Sequence, residues 1–169
     1  GVSKGLLSDY VKVYEGLSRG DTDHFDRYFW ELPNVQGERW SPLVNSSSCN
    51  EIFSGVDVLF LWEEGKGVLA KAPGARIQGQ PAWGHSAVFV SRTHLNACLT
   101  QGLIHAQNGV AFVPNKEEDL LPVLLFCRSD EFKVAIRRLN QKLIKPTGVM
   151  DKVPFNLERW QEESRRAFP

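Results

Sequence analysis

GLSRGDTDHFDRYFWELP, residues 16–33, is the stretch on which the reading of this chain turns. Gly20, Asp21, Thr22 and Asp23 are turn formers, because glycine reaches positive φ without steric cost and Asp and Thr side chains bond back to nearby backbone. Beyond that turn the side chains of residues 26–32 alternate, with Tyr28, Trp30 and Leu32 on one face and Arg27, Phe29 and Glu31 on the other. The alternation and the aromatic content predict a β-strand. Upstream, Leu6, Leu7, Tyr10, Val11, Tyr14 and Leu17 recur at helical spacing and predict an amphipathic helix over 4–18 that leads into the turn.

Working outward, residues 34–54 are polar and rich in turn formers, which predicts a long surface loop. The apolar run 56–62 reads as an interior strand, 63–67 as a hairpin turn and 68–71 as the partner strand. Residues 72–86, with three glycines and two prolines, are expected to be irregular, and 87–91 to resume a strand. A short helix is predicted from Thr93, then a hairpin of 103–106 with 110–113 around Gln107-Asn108-Gly109. Asn115 and Glu118 have capping-box spacing ahead of a helix over 120–126 that places Pro122 in its first turn. Ser129 opens another helix with Phe132, Ile136, Leu139 and Leu143 as its apolar stripe. A connector over 145–154 follows, and Asn156 caps a last helix bearing Leu157, Trp160 and Phe168. Strands followed by helices predict an α+β fold, a twisted, mostly antiparallel or mixed sheet with flanking N- and C-terminal helices, in a single domain over residues 1–169.

Twenty basic and twenty acidic residues leave no formal net charge, so any electrostatic argument rests on distribution. Between residues 65 and 116 stand Lys66, Lys71, Arg76, Arg92 and Lys116, with His85, His94 and His105, and not one Asp or Glu. A stretch without carboxylates can approach phosphates and neutralise them with counterion release. Cys49, Cys98 and Cys127 are odd in number and have neither CxxC nor Cys/His spacing, which points to thiols in a reducing compartment and away from zinc. No apolar run approaches the roughly twenty residues of a membrane span, and the start has no signal-peptide pattern, so a soluble cytoplasmic protein is expected. A start without Met and an end just after an amphipathic helix suit a fragment of a longer protein.

Gly16, Leu17, Gly20, Asp21, Phe25, Arg27 and the pair Phe29-Trp30 resemble the Gly-Leu-x-Thr-Gly-Asp-Asn-x-x-Phe-x-Arg-x-Trp motif. That motif opens the target-recognition domain of large DNA adenine-N6 methyltransferases from restriction-modification and phage-exclusion systems. Arg19 stands where that family has Thr, and Thr22 where it has Asn. Residues 129–169 are similar to a second pattern of the same enzymes, a Ser-x-Glu-Phe helix and a Leu-Asn-x-Lys-Leu segment leading to Lys-Val-Pro-Phe, matched by Lys152, Val153, Pro154 and Phe155, with Leu157 and Trp160 beyond. The resemblance implies a module that reads double-stranded DNA for a methyltransferase catalytic domain lying N-terminal to it in the same parent chain. The S-adenosylmethionine site would lie in that parent. The catalytic Asn/Asp-Pro-Pro-Tyr/Phe tetrapeptide is missing, since no Pro-Pro occurs here, so no catalytic, cofactor or metal residue is assigned and no methyl transfer is expected of this chain alone.

Resemblance and charge pattern together nominate the DNA contacts. Arg76, Gln78 and Gln80 sit at period-two spacing around glycines and could project from one side of an extended loop; Arg pairs with guanine and Gln with adenine in the major groove. Lys66, Lys71, His85, Ser86 and Arg92 are phosphate candidates. Trp83 reads as a core anchor or a base wedge, and His24 and Arg27 complete the set from within the motif. Two enzymatic patterns carry less: His24 with Asp21, Asp23 and Asp26 lacks a second nearby His, and His94 with Cys98 suits any short amphipathic helix. The alternative to DNA reading is a protein docking or scaffold module in which the basic stretch is incidental.

Overall fold

The computed structural model describes residues 5–34, 39–48 and 50–169. In chain order it holds β1 (Val11–Glu15), α1 (Thr22–Phe25), β2 (Asp26–Tyr28), β3 (Trp40–Val44), β4 (Val58–Leu61), β5 (Val88–Ser91), β6 (Ala97–Leu99), β7 (Ile104–His105) and β8 (Gly109–Pro114). The helices α2 (Leu120–Arg128), α3 (Asp130–Leu139), α4 (Thr147–Met150) and α5 (Leu157–Ala167) follow. The fold is α+β, as expected. Its strands form two four-stranded sheets, β1-β8-β5-β6, which is antiparallel throughout, and β2-β4-β3-β7, in which β3 and β7 run parallel.

The two largest apolar clusters divide between the sheets, and a smaller one, Val44 of β3 with Phe89 and Cys98 of β5 and β6, joins them. Val11, Val88, Val90, Val110 and Phe112 of the first sheet face Val123, Phe126, Phe132, Ile136 and Trp160 of the C-terminal helices. Phe126 is the hub, with ring centroids 4.9 Å from Phe155 and 5.5 Å from both Phe132 and Trp160. Edge-to-face and tilted contacts of this kind add to the burial of large apolar surfaces. The second core joins Leu17, Phe25, Leu43, Phe60, Leu61 and Leu69, with Trp62 and Trp83 against it. Ser129 accepts from Phe132 N at 3.2 Å and Asn156 from Arg159 N at 3.1 Å, so both predicted caps are made. Among the described residues no helix is long and apolar enough to cross a membrane.

Several expectations are corrected. The helix over 4–18 is instead a 3-10 turn, Leu7–Asp9, followed by β1, which pairs with β8 from Val11↔Pro114 to Glu15↔Val110. Valines 11 and 13 favour a strand, and an available ladder outweighs helical spacing. The strand over 26–32 stops at Tyr28, where the chain coils into a 3-10 turn, Phe29–Glu31, closed by Glu31 Oε2 accepting from Tyr28 N at 2.7 Å. Residues 68–71 pair with nothing in the sheets and form a 3-10 turn, Leu69–Lys71, because β4 already has β2 and β3 on its two edges. The helix from Thr93 is replaced by the return of the β5–β6 hairpin, with Leu95 at φ 60°.

The predicted loop over 34–54 contains β3, and of the same region residues 35–38 and Cys49 lie outside those described. Asn108-Gly109 does turn, with Gly109 N donating to Ala106 O at 3.3 Å, but it makes no hairpin. β7 pairs with β3 and β8 with β1 and β5, so the turn carries the chain from one sheet to the other. The Asn115–Glu118 capping box is not formed; Asn115 Nδ2 donates to Asp9 O at 3.2 Å, and a 3-10 turn, Glu117–Asp119, leads into α2. Leu139 and Leu143 are exposed, so the stripe of α3 ends at Ile136.

Candidate nucleic-acid interface

The stretch 16–33 folds around a buried ion pair. Arg19, only 6 % exposed, donates through Nε to Asp26 Oδ1 at 2.9 Å and through Nη2 to Asp26 Oδ2 at 2.7 Å, with Asn45 Oδ1 a third acceptor at 3.3 Å. This fork ties the loop before α1 to the start of β2 and to the residue after β3. Burial pushes the Asp26 carboxyl above its ordinary value, against the opposing pull of the Arg19 guanidinium. Gly20 takes φ 74°, as the turn reading requires, while Asp21 accepts from His24 N at 3.1 Å and caps α1 instead of closing a simple turn. Phe25 is buried, and Arg27 Nη1 donates to the carbonyls of Asp26 at 2.6 Å and Asp23 at 2.8 Å.

Beside this node opens a cleft of about 650 Å³. One part of its wall is Arg19, Asp26 and Asn45; another is Asp23, Arg27, Tyr28 and Glu31; Gln107 and Asn108, from the turn between the sheets, stand on a third, with Val58 and Ala106 among the apolar lining. Asn108 Nδ2 donates to Asn45 O, which couples that turn to the motif. At the rim Tyr28 stacks on Trp30, with centroids 4.6 Å apart and planes 2° from parallel.

The acid-free stretch meets the motif here. Ser18 N donates to Arg76 O at 3.0 Å, Arg76 N to Ser18 O at 2.9 Å and Ser18 Oγ to Gly74 O at 3.1 Å. Lys71 and Arg76 are exposed on this docked loop. Gln78 does not project with them: its Nε2 donates to Gly16 O at 2.8 Å and props the loop on the motif. Gln80 Nε2 bonds locally to Ile77 O at 3.1 Å, so the period-two set is not presented as one row.

The other nominated residues scatter. Trp83 packs edge-on to Trp62 at 5.4 Å as a core anchor, with its Nε1 buried and unpartnered. Arg92 is held by Lys145 O at 2.7 Å, Glu15 Oε1 at 3.2 Å and Gln107 O at 3.3 Å, a structural tether across the first sheet's end. Lys66 is exposed and pairs with Glu64 at 3.5 Å in the turn after β4. His24 is exposed, edge-on to Phe25 at 4.7 Å. His85 and Ser86 line a second cleft of about 540 Å³ together with Lys12 and Asn115.

Sequence reasoning missed Asn45 and Asn108, which reach the motif only through tertiary packing, and read Tyr28 and Trp30 as one strand face. Arg19 and Asp26 were both in view, seven apart, and their opposite charges beside a turn were the available signal. Among the described residues no group of three or more His, Cys, Asp or Glu could hold a metal ion. Cys98 is buried and its thiol is pushed up by that burial, and Sγ lies 3.7 Å from Ser54 O, whereas His94 is exposed, so the thiol-dyad pattern has no reactive thiolate behind it. No known protein family matches the chain, and no curated protein is similar to it.

Proposed function

We propose that this chain reads duplex DNA as the target-recognition domain of a DNA adenine-N6 methyltransferase of a restriction-modification or phage-defence system, with the S-adenosylmethionine-dependent catalytic domain in the same parent polypeptide and the cytoplasm as its site of action. The observation that supports this reading is the junction of two stretches that point to DNA independently: the motif at 16–33 and the acid-free segment, bonded to each other through Ser18 and Arg76. Exposed Lys71 and Arg76 stand on the docked loop, where charge-assisted bonds to phosphate would set register on the duplex. Arg27, at the wall of the cleft, would read base edges beside them.

Anisotropy titration of a labelled duplex between about 50 and 200 mM salt tests this, because each phosphate contact contributes roughly 0.9 to the logarithmic slope. Binding that weakens with salt supports the reading. Absence of duplex binding at low salt removes it. A second reading, a protein docking module without a DNA role, draws on the exposed Phe29, Trp30, Leu143 and Ile144 and predicts salt-insensitive capture of one protein partner.

A further inference from the structure

Tyr28, Phe29 and Trp30 are three consecutive aromatics that turn to the surface, 45, 61 and 64 % exposed. Exposure of that much aromatic area is unfavourable unless something covers it. The rings are also ordered: Tyr28 and Trp30 lie 2° from parallel, Phe29 meets Trp30 edge-on at 4.9 Å, and Glu31 ties the turn to the Tyr28 amide. Tyr28 belongs at once to this stack and to the wall of the 650 Å³ cleft.

The chemistry of the cleft selects its occupant. Arg19 and Asp26 neutralise each other in its wall, which leaves Asp23 and Glu31 against Arg27, whose Nη1 is already bonded to the Asp23 and Asp26 carbonyls; a phosphodiester gains little there, whereas a neutral heterocycle meets no repulsion. Gln107 offers an amide with donor and acceptor side by side, as the edge of a nucleobase does, and Asn108, whose Nδ2 already gives one hydrogen to Asn45 O, adds an Oδ1 acceptor and a second N–H. A protein hot spot would instead want an apolar pocket beside the aromatics. Bases inside a duplex have both faces covered, so only an unpaired base can offer a face to the stack.

We infer that Tyr28 and Trp30 form a stacking platform for an unpaired nucleobase of a DNA strand, with the base edge directed to the amides of Gln107 and Asn108. The inference rests on the DNA-recognition reading and adds to it a site for a base outside the helix. The nominated phosphate contacts at Lys71 and Arg76 are separate from it.

The test uses the full chain and two duplexes that differ by one extrahelical 2-aminopurine. The bulged duplex is expected to bind roughly five- to 150-fold tighter than the intact one, the range that stacking of one base supplies, and its emission is expected to fall on binding. Trp30→Leu and Tyr28→Leu, both at exposed positions, should abolish the preference and the quench while intact-duplex affinity and salt slope stay as they were. Equal affinity for the two duplexes, or a preference that survives both substitutions, overturns the platform and leaves the DNA reading standing if the intact duplex still binds with salt dependence. Failure to bind either DNA overturns both. Binding of 2-aminopurine nucleoside as tight as that of the bulged duplex would overturn the assignment to a DNA strand, and salt-insensitive capture of a protein through Trp30 without base preference would assign the patch to a protein.

Discussion

Replacing Arg19 by Met removes both prongs of the Arg19–Asp26 fork and leaves a carboxylate that is only 15 % exposed without its cation. Breaking a buried pair from one side costs about 3 to 5 kcal/mol, because the remaining charge stays desolvated. Against a total stability of roughly 5 to 15 kcal/mol that is a large fraction, and at about 2 to 4 °C per kcal/mol for a chain of this size it lowers Tm by roughly 6 to 20 °C. The deficit depends on pH in a defined direction. Burial already holds the folded-state value of Asp26 above its unfolded one, so this group's contribution is most favourable at low pH and is lost as pH rises through the folded value. Removing Arg19 removes an influence that lowers it and raises it further, so the Arg19→Met deficit is greatest at neutral pH and narrows on acidification. Asp26→Asn strands a guanidinium that cannot shed its proton, and its deficit has no such relief. The double variant Arg19→Met/Asp26→Leu should recover most of the loss. Urea unfolding followed by tryptophan fluorescence at neutral and acid pH measures all three variants. A cost below about 1 kcal/mol for Arg19→Met, or a double variant no more stable than either single one, refutes the reasoning.

Three further outcomes are expected. His105 is fully buried, with Nε2 3.2 Å from Tyr14 O and Nδ1 unpartnered, and burial lowers its pKa, so the neutral form's contribution is present above about pH 6.5 and lost as pH falls below it. His105→Gln should flatten that dependence, which reaches at most about 1.4 kcal/mol per pH unit; denaturant midpoints from pH 7.5 to 5 measure it, and an unchanged slope would sink the assignment. Arg76→Ala should reduce the salt slope of duplex binding by roughly one unit at unchanged stability, whereas Arg92→Ala should lower Tm and leave the slope alone; the opposite pattern would reverse the two roles. A Cβ at Gly16 would stand 2.1 Å from the carbonyl oxygen of Ala106, so Gly16→Ala should destabilise by about 3 kcal/mol, and an unshifted unfolding midpoint would contradict the close packing of motif against β7.

Local chemistry made part of this protein legible from residue order. Ser129 and Asn156 cap helices because a side-chain oxygen three residues ahead of an orphan amide needs no tertiary partner, and the run at Val58–Leu61 is interior because unbroken apolar sequence must be covered on both faces. Gly20 at positive φ and the irregular path of residues 72–86 were legible for the same reason. What depends on distant partners was not. β1 carries a period that fits a helix as well as a strand, and only β8 beside it decides between them. The Asn108-Gly109 turn looks the same whether it closes a hairpin or crosses between sheets, and the vacancy beside β3 sends it across. The candidate site divides in the same way: the sequence by itself determined the motif and the acid-free stretch, whose residue types are a matter of composition and spacing. Only the tertiary structure turned Gln78 and Arg92 inward as tethers, left Arg76 outside and set Asn45 and Asn108 beside Arg19, because hydrogen bonds between residues 26 to 77 positions apart follow from packing and leave no mark on local spacing.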